Sequence, residues 1–596
     1  MRKVYYILIL MWATTGILQA QNPALAKKYF EEAEFEKAIA EYKILADKFP
    51  YKSEYTINLL RSYQALQKYK EAEKLITKRK LKNSPQYWVY LGYNYQLQKD
   101  TIHAKKYYQK AIKAASKRSY YVYQVGEAFK KFYLLDEALQ VYQGAIQRGE
   151  NKNFYMQIAQ IYAEKNDMEQ MISNYLNLYA VSDAYQNNVK YYLTRFITQD
   201  PENKVNDILK NQLIQRVHDT KETRWYRLLY WLYVQQKEYR KAFWQLKSLY
   251  RKSNAEISEI YHLGNTANYA KQYDAARSMY EFVAQNAKEE KYAQLAKLAL
   301  LKMDTQAILD TEKKQEIEEI FKQYLSENWD LRNRVQLQIQ YADFLAFHLK
   351  KDSEALDLLE SLSKYNLGKR QRADIKLKKA DILMYNEHFN QALILYTQVQ
   401  LDFPNNPTGH KATYKIAQAS FFQGDIEWAH SQLKVIKSVS DDLIANDAID
   451  LDLIIINNKE EGDSLQSGLK KFAKAKFEMY RKNPGKAVAM LDSIKQKFKG
   501  QLIYDDVLWT QAQVWEQQGN YDLALQNYQA ILDNKTEDLL KDDALYRMAI
   551  IYETQLDDED KAKALFKKIV LEYPASFWFV DARKHFRKLR GDEIEN

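Results

Sequence analysis

A period of about 34 residues runs through this chain and limits its fold more than any other feature. It is clearest from Ser84 to Ser116, SPQYWVYLGYNYQLQKDTIHAKKYYQKAIKAAS. Trp88, Leu91, Gly92, Tyr95, Ala104, Tyr108 and Ala111 stand at the spacing of one helix–turn–helix unit. The same frame returns with Gly126, Phe129, Ala138 and Tyr142, with Gly264, Ala276 and Tyr280, and almost to the end with Ala549, Ala562, Phe566 and Pro574. Small residues at a helix crossing let two axes approach closely, and aromatics fill the gap to the next unit. With 596 residues, one globular core is not expected, because cores stop growing at roughly 250–300 residues. The period selects a quasi-linear, all-α array in which each unit needs its neighbours to bury its faces. Only 15 Gly and 8 Pro are present, which fits long helices with short loops and predicts few turns at positive φ.

The pattern resembles the tetratricopeptide repeat family over nearly the whole chain after its first residues. The resemblance implies a right-handed α-solenoid, a superhelix whose first helices line a concave groove. The frame fades from Ser182 to Lys221, where Asp200-Pro201 marks a break, and again from Glu290 to Leu331. Both are candidate joints between subdomains, or diverged repeats that pack normally. The expected organisation is a signal peptide (1–20), an N-terminal array (21–181), repeat-like helices with degenerate units (182–331), a C-terminal array (332–574) and a capping helix with its tail (575–596). An insertion is expected around Glu460-Glu461-Gly462-Asp463. The C-terminal stretch, with Tyr573-Pro574-x-Ser576 followed by Asp581-Ala582 and Leu589, is similar to the repeats of the Tol–Pal coordinator and of outer-membrane assembly lipoproteins. The Tyr- and Lys-rich composition is similar to that of exported Bacteroidota proteins.

Arg2 and Lys3, an apolar run from Val4 to Trp12, and the small or polar stretch to Ala20 have the layout of a secretory signal peptide. Cleavage is expected after Ala20; an uncleaved N-terminal anchor is the other reading. No later segment is long and apolar enough to predict a membrane span. The absence of Cys excludes disulfides, thiol catalysis, thiolate metal sites and a Cys-linked lipid anchor.

Charge is unevenly spread. From Lys70 to Lys131 fifteen Lys and Arg face four acidic residues, a net of +11, equal to the charge of the whole chain. From Asp533 to Asp560 the balance is acidic. Lys105, Lys106, Lys110 and Lys113 form a candidate basic patch for an anionic polymer or lipid surface; a solvated outer face is the alternative. Nucleic acid is not expected, because no recognition motif accompanies the basicity.

No phosphate-binding loop, nucleophile elbow or HExxH motif is present, and the eight His make no paired metal spacing. Catalysis, cofactors and metals are therefore not expected. By the family's register, the groove would be lined by Lys27 and Arg61 in the first two units. In units three to five it would be lined by Val89, Tyr93, Tyr120, Tyr123, Glu127, Met156 and Gln160. Chaperone-binding members hold a peptide carboxylate with Lys and Asn; here Tyr93 and Glu127 stand at the clamp Asn positions, so that mode is not expected. An aromatic and polar groove suits a segment of another protein, unless these Tyr serve only to pack the next unit. The expectation is a non-catalytic periplasmic scaffold for protein partners of an envelope complex of outer-membrane assembly, secretion or uptake. The alternative is a cell-wall protein that holds peptidoglycan or anionic glycan through its basic repeats.

Overall fold

A computed structural model describes residues 23–78, 80–150, 153–200, 203–253, 256–307, 310–437, 444–459, 467–534 and 539–592. The expected signal peptide, the Glu460–Asp463 insertion and Pro201 lie outside the described residues. Among the described residues every regular element is helical, with 32 α-helices, three short 3-10 turns and no strand. The chain divides after Val283 into two compact units. That point lies just before the second stretch where the repeat fades.

Each unit is a run of helical hairpins in which the first helix (A) packs on its own second helix (B) and on neighbouring hairpins. Helix A Pro85–Leu97, for example, packs on helix B Thr101–Lys117 and on the next helix A, Tyr120–Lys131. The link from A to B recurs from hairpin to hairpin, with longer corners at Lys350 and Asp557. In the clearest unit the amide of Asp100 donates to the carbonyl of Tyr95, and the amide of Lys99 donates to Gln96. This is the Schellman arrangement, which needs a left-handed residue at its corner. Lys99 supplies it with φ of 63°. The next residue then opens helix B, because the carbonyl of Asp100 accepts from the amide of Ala104. Asp100 also caps that helix through its carboxylate, which accepts from the amide of His103.

These corners correct the expectation drawn from glycine scarcity. Ala33, Gln67, Tyr133, Asn166, Lys237, Lys271, Glu387 and Lys482 hold the same corner at positive φ. Gly424 and Gly519 hold it in two other hairpins. Left-handed backbone costs a side-chain-bearing residue about 1–2 kcal/mol. The two backbone hydrogen bonds and the packed hairpin offset it, so low glycine content does not mean few left-handed turns.

The hairpins are locked by one small residue under one ring. A Cβ built on Gly92 would stand 2.5 Å from the Tyr108 ring, on Gly126 2.3 Å from Tyr142, and on Gly264 2.8 Å from Tyr280. Each pair lies sixteen positions apart. The ring's hydroxyl then donates back to helix A of its own hairpin: Tyr108 to Gln96 at 2.8 Å, Tyr142 to Glu127 at 2.9 Å and Tyr280 to Asn265 at 2.8 Å. Tyr396 and Tyr528 repeat the pattern on Asp381 and Glu516, with Ala380 and Ala512 sixteen positions earlier.

Where the repeat fades, buried amides take over. Asn206 is fully buried at the start of helix Lys204–Thr220. Its side chain donates to the carbonyls of Thr198 and Asp200 and accepts from the amide of Thr198. In the second stretch the buried side chain of Gln294 accepts from Asn333 at 3.0 Å and donates to the carbonyl of Asn328. A satisfied buried amide holds a loop by its hydrogen bonds and leaves no hydrophobic period.

The buried rings make stability fall at high pH. Burial pushes the phenols of Tyr175, Tyr341 and Tyr414 up to about 12, against about 10 in an unfolded chain. A raised folded-state pKa contributes stability that is complete below the unfolded value and is lost as pH rises through the folded one. Stability should therefore hold to about pH 10 and fall between about pH 10 and 12. The tyrosinate absorbance of the buried rings should rise together with loss of helix, instead of preceding it.

Candidate functional site

The nine residues expected in an N-terminal groove do not form one surface. Val89 is 0 % exposed and belongs to the core. Helix Pro85–Leu97 is packed on several sides, and Tyr87, Val89, Tyr90, Leu91, Gly92 and Asn94 are all buried. Val89 therefore cannot touch a ligand. Lys27 is exposed and pairs with Glu31 along its own helix at 3.6 Å. Arg61 lies over the Phe30 ring, 5.0 Å from its centre. Tyr93 stacks on Phe132 with ring centres 4.0 Å apart, which assigns it to packing between units.

Two of the expected residues, Glu127 and Gln160, do meet through a bridge. Glu127 accepts from the Tyr142 hydroxyl and pairs with Lys130 at 3.4 Å. Lys130 in turn donates to Gln160 at 3.4 Å. This chain links successive A helices, Tyr120–Lys131 and Phe154–Glu164. Tyr120 and Tyr123, 75 % and 54 % exposed, remain open on the first of them, and Met156 is half-buried on the second. In the basic patch Lys105, Lys106 and Lys113 are exposed on helix Thr101–Lys117. Lys110 stands 4.1 Å from the centre of the Trp88 ring. Its ammonium is partly engaged by that ring face.

A groove of about 900 Å³ lies elsewhere, in the C-terminal unit. Its walls come from helices Ile444–Asn457, Ser467–Tyr480, Ile503–Gln517 and Lys541–Thr554, with Phe577 and Trp578 at the edge. Four aspartates line it: Asp450, Asp505, Asp506 and Asp543. Three are fixed by neutral donors. Asp505 accepts from the Asn534 amide at 2.6 Å, Asp506 from the Asn458 amide at 2.7 Å, and Asp543 from the Trp578 indole at 2.6 Å. The Trp578 ring is stacked on Tyr546 at 4.0 Å, so the donor to Asp543 is itself held.

Burial pushes the carboxyls of Asp450, Asp505 and Asp543 up from their ordinary range. The charge of Asp450 adds to the rise at Asp543. The one cation lining the groove, Lys476, is half-buried. It makes no ion pair among the described residues, and burial pushes its ammonium pKa down. Trp509, Leu453, Leu539 and Phe577 supply apolar surface, and Phe577 is 87 % exposed. The site therefore offers apolar wall and an excess of negative charge.

Motif reading missed this groove, although a signal for it is present. Asp505-Asp506 and Asp542-Asp543 stand at the same register, seven and six residues before the small residues Ala512 and Ala549. An acidic pair repeated at the start of successive A helices points to one shared face.

Among the described residues no group of three or more His, Asp or Glu is placed to hold a metal ion. No helix among them is long and apolar enough to cross a membrane. His430 and His585 each have a carboxylate neighbour, Asp452 at 2.5 Å and Glu553 at 2.6 Å.

No protein-family model matches the chain, and no curated protein does. Two solved structures are similar to it at low level. One is the complex of Naa15 and Naa10 bound to HypK-THB, at 12 % identity over 95 % of this chain and 96 % of that one, with a TM-score of 0.27. The other is the APC/C hetero-tetramer Cut9–Hcn1, at 12 % identity over 97 % and 98 %, with a TM-score of 0.26. The fold rests on the chain's own helices: an all-α solenoid of helical hairpins with a tetratricopeptide-like lock.

Proposed function

We propose that this chain is an exported, non-catalytic scaffold that holds protein partners in a cell-envelope complex. The observation that carries the binding role is the build of the molecule. Stacked hairpins leave rows of A-helix side chains open, including Tyr120 and Tyr123 in one unit and the acidic groove in the other. Aromatic side chains on a rigid helical face are suited to anchoring another protein. The export and envelope assignment is supported by the basic, apolar and small-residue order of the first twenty positions. The test is co-purification of the full chain from solubilised envelope. A partner recovered reproducibly and in constant ratio is the expected result; recovery no better than a tag-only control overturns the proposal.

A second reading is favoured by the basic helix. None of Lys105, Lys106, Lys110 and Lys113 makes an ion pair among the described residues, so their charge is available to an anionic glycan. On that reading the chain pellets with purified cell wall at low salt and is released at high salt. Changing all four to Glu abolishes pelleting. Failure to pellet at low salt removes this reading.

A further inference from the structure

We propose that the C-terminal groove captures a partner segment that carries Lys or Arg side chains interleaved with large apolar ones. The inference deepens the scaffold reading and rests on it. Charge complementarity joined to shape selects such a segment. Four carboxylates and one ammonium line the groove, so its wall is negative by three charges when all are ionised. Asp505 and Asp543 are positioned by an amide and an indole, donors that orient a carboxylate without neutralising it. A cation arriving from a partner would supply the missing charge. Pairs with a charged partner are shorter and stronger than neutral hydrogen bonds.

The apolar half of the recognition comes from Trp509, Leu539 and Phe577. These belong to one helix and two connecting segments, so a segment touching all three lies across successive hairpins. A purely acidic ligand would meet four like charges, and a purely apolar one would strip water from the carboxylates while bringing no positive charge, at a cost. The cationic, apolar segment avoids both. Lys476 acts against it. It is the one groove residue whose charge repels the proposed ligand, and it gives the test a sign that damage to the fold cannot imitate.

The probes are three fluorescein-labelled peptides, alternating Lys and Leu, Lys and Ser, and Glu and Leu, titrated into the full chain by fluorescence anisotropy. The Lys–Leu peptide should bind most tightly, the Lys–Ser peptide more weakly and the Glu–Leu peptide not at all. The double change Asp450→Asn with Asp506→Asn should weaken the Lys–Leu peptide about tenfold or more, and Lys476→Met should tighten it about threefold. Equal binding of the Glu–Leu peptide, or an affinity untouched by the double change, overturns the proposal. So does a concentration-dependent dimer of the chain alone, seen by sedimentation and lost in the double variant, which would make a second copy the occupant. If a co-purified partner stays bound to the double variant, the groove assignment fails while the scaffold reading stands.

Discussion

Gly409→Ala is expected to open the junction between its hairpin and the preceding one, at a cost of about 3 kcal/mol or more, because the added methyl meets backbone. A Cβ on Gly409 would stand 1.9 Å from the carbonyl oxygen of Phe403. Gly409 lies in the first turn of helix Pro407–Gln423, directly after helix Phe389–Asp402 and its turn. A carbonyl fixed by the preceding helix end cannot step aside as a flexible side chain can.

Gly126→Ala should be milder but still destabilising. Its methyl meets the ring of Tyr142 at 2.3 Å, and that ring is fully buried. Helix propensity pulls the other way, since Ala is better than Gly in a helix interior by about 1 kcal/mol. The overlap should win, leaving a net loss of about 1–2 kcal/mol. Gly144→Ala is the control. Its nearest neighbour is the end of the Arg148 side chain at 3.2 Å, which can move, so propensity should prevail and the variant should gain up to about 1 kcal/mol. Urea unfolding followed by helix signal, with hydrogen exchange to localise the change, reads all three. A stabilising Gly126→Ala would show that the small residue is not there for the ring.

Tyr396 separates the ring from its hydroxyl. The side chain is fully buried and donates to Asp381 at 2.6 Å. Asp381 also faces Lys415 at 3.5 Å and Lys378 at 3.9 Å. Tyr396→Phe removes one hydrogen bond but leaves the carboxylate with cationic neighbours, so the cost should be about 1 kcal/mol. Tyr396→Ala removes the ring from a cluster that holds Ala380, Ala392, Val399 and Ala412, and should cost about 3–5 kcal/mol. Amides of helices Lys369–Tyr385 and Phe389–Asp402 should then exchange roughly a hundredfold faster or more, while those of the N-terminal unit keep their protection. Such local loss is the mark of a repeat array. Equal losses in the Phe and Ala variants would place the stabilisation in the hydroxyl and contradict the lock.

The spacing behind the lock was legible in the sequence, but its aromatics were expected to fill the gap to the next unit, whereas the ring covers the small residue of its own hairpin. Gly92 with Tyr108 and Gly126 with Tyr142 can be counted without coordinates. The corner between helices was not, because its requirement is a backbone angle. Lys99, Tyr133 and Lys271 carry no compositional mark of a left-handed turn, and the bonds that hold them there are all main chain. The faded stretches were invisible for a related reason. Asn206, Gln294 and Asn333 do by hydrogen bonding what rings do elsewhere, and a polar residue reads as surface until its burial is known. The candidate site suffered most from register. Val89 was assigned to an open face by family position, whereas a helix packed on several sides exposes only a narrow stripe. The repeated Asp-Asp pairs match no known motif, and the N-terminal charge excess is the larger compositional signal.

The most direct test of the binding account is zero-length carbodiimide coupling of the co-purified complex, read by mass spectrometry, because the reagent joins only carboxylates and amines already in contact. The account predicts coupling of partner lysines to Asp450 and Asp506, absent from the double Asn variant. Coupling of partner carboxylates to Lys105, Lys106 or Lys113, with none at the C-terminal groove, would contradict it.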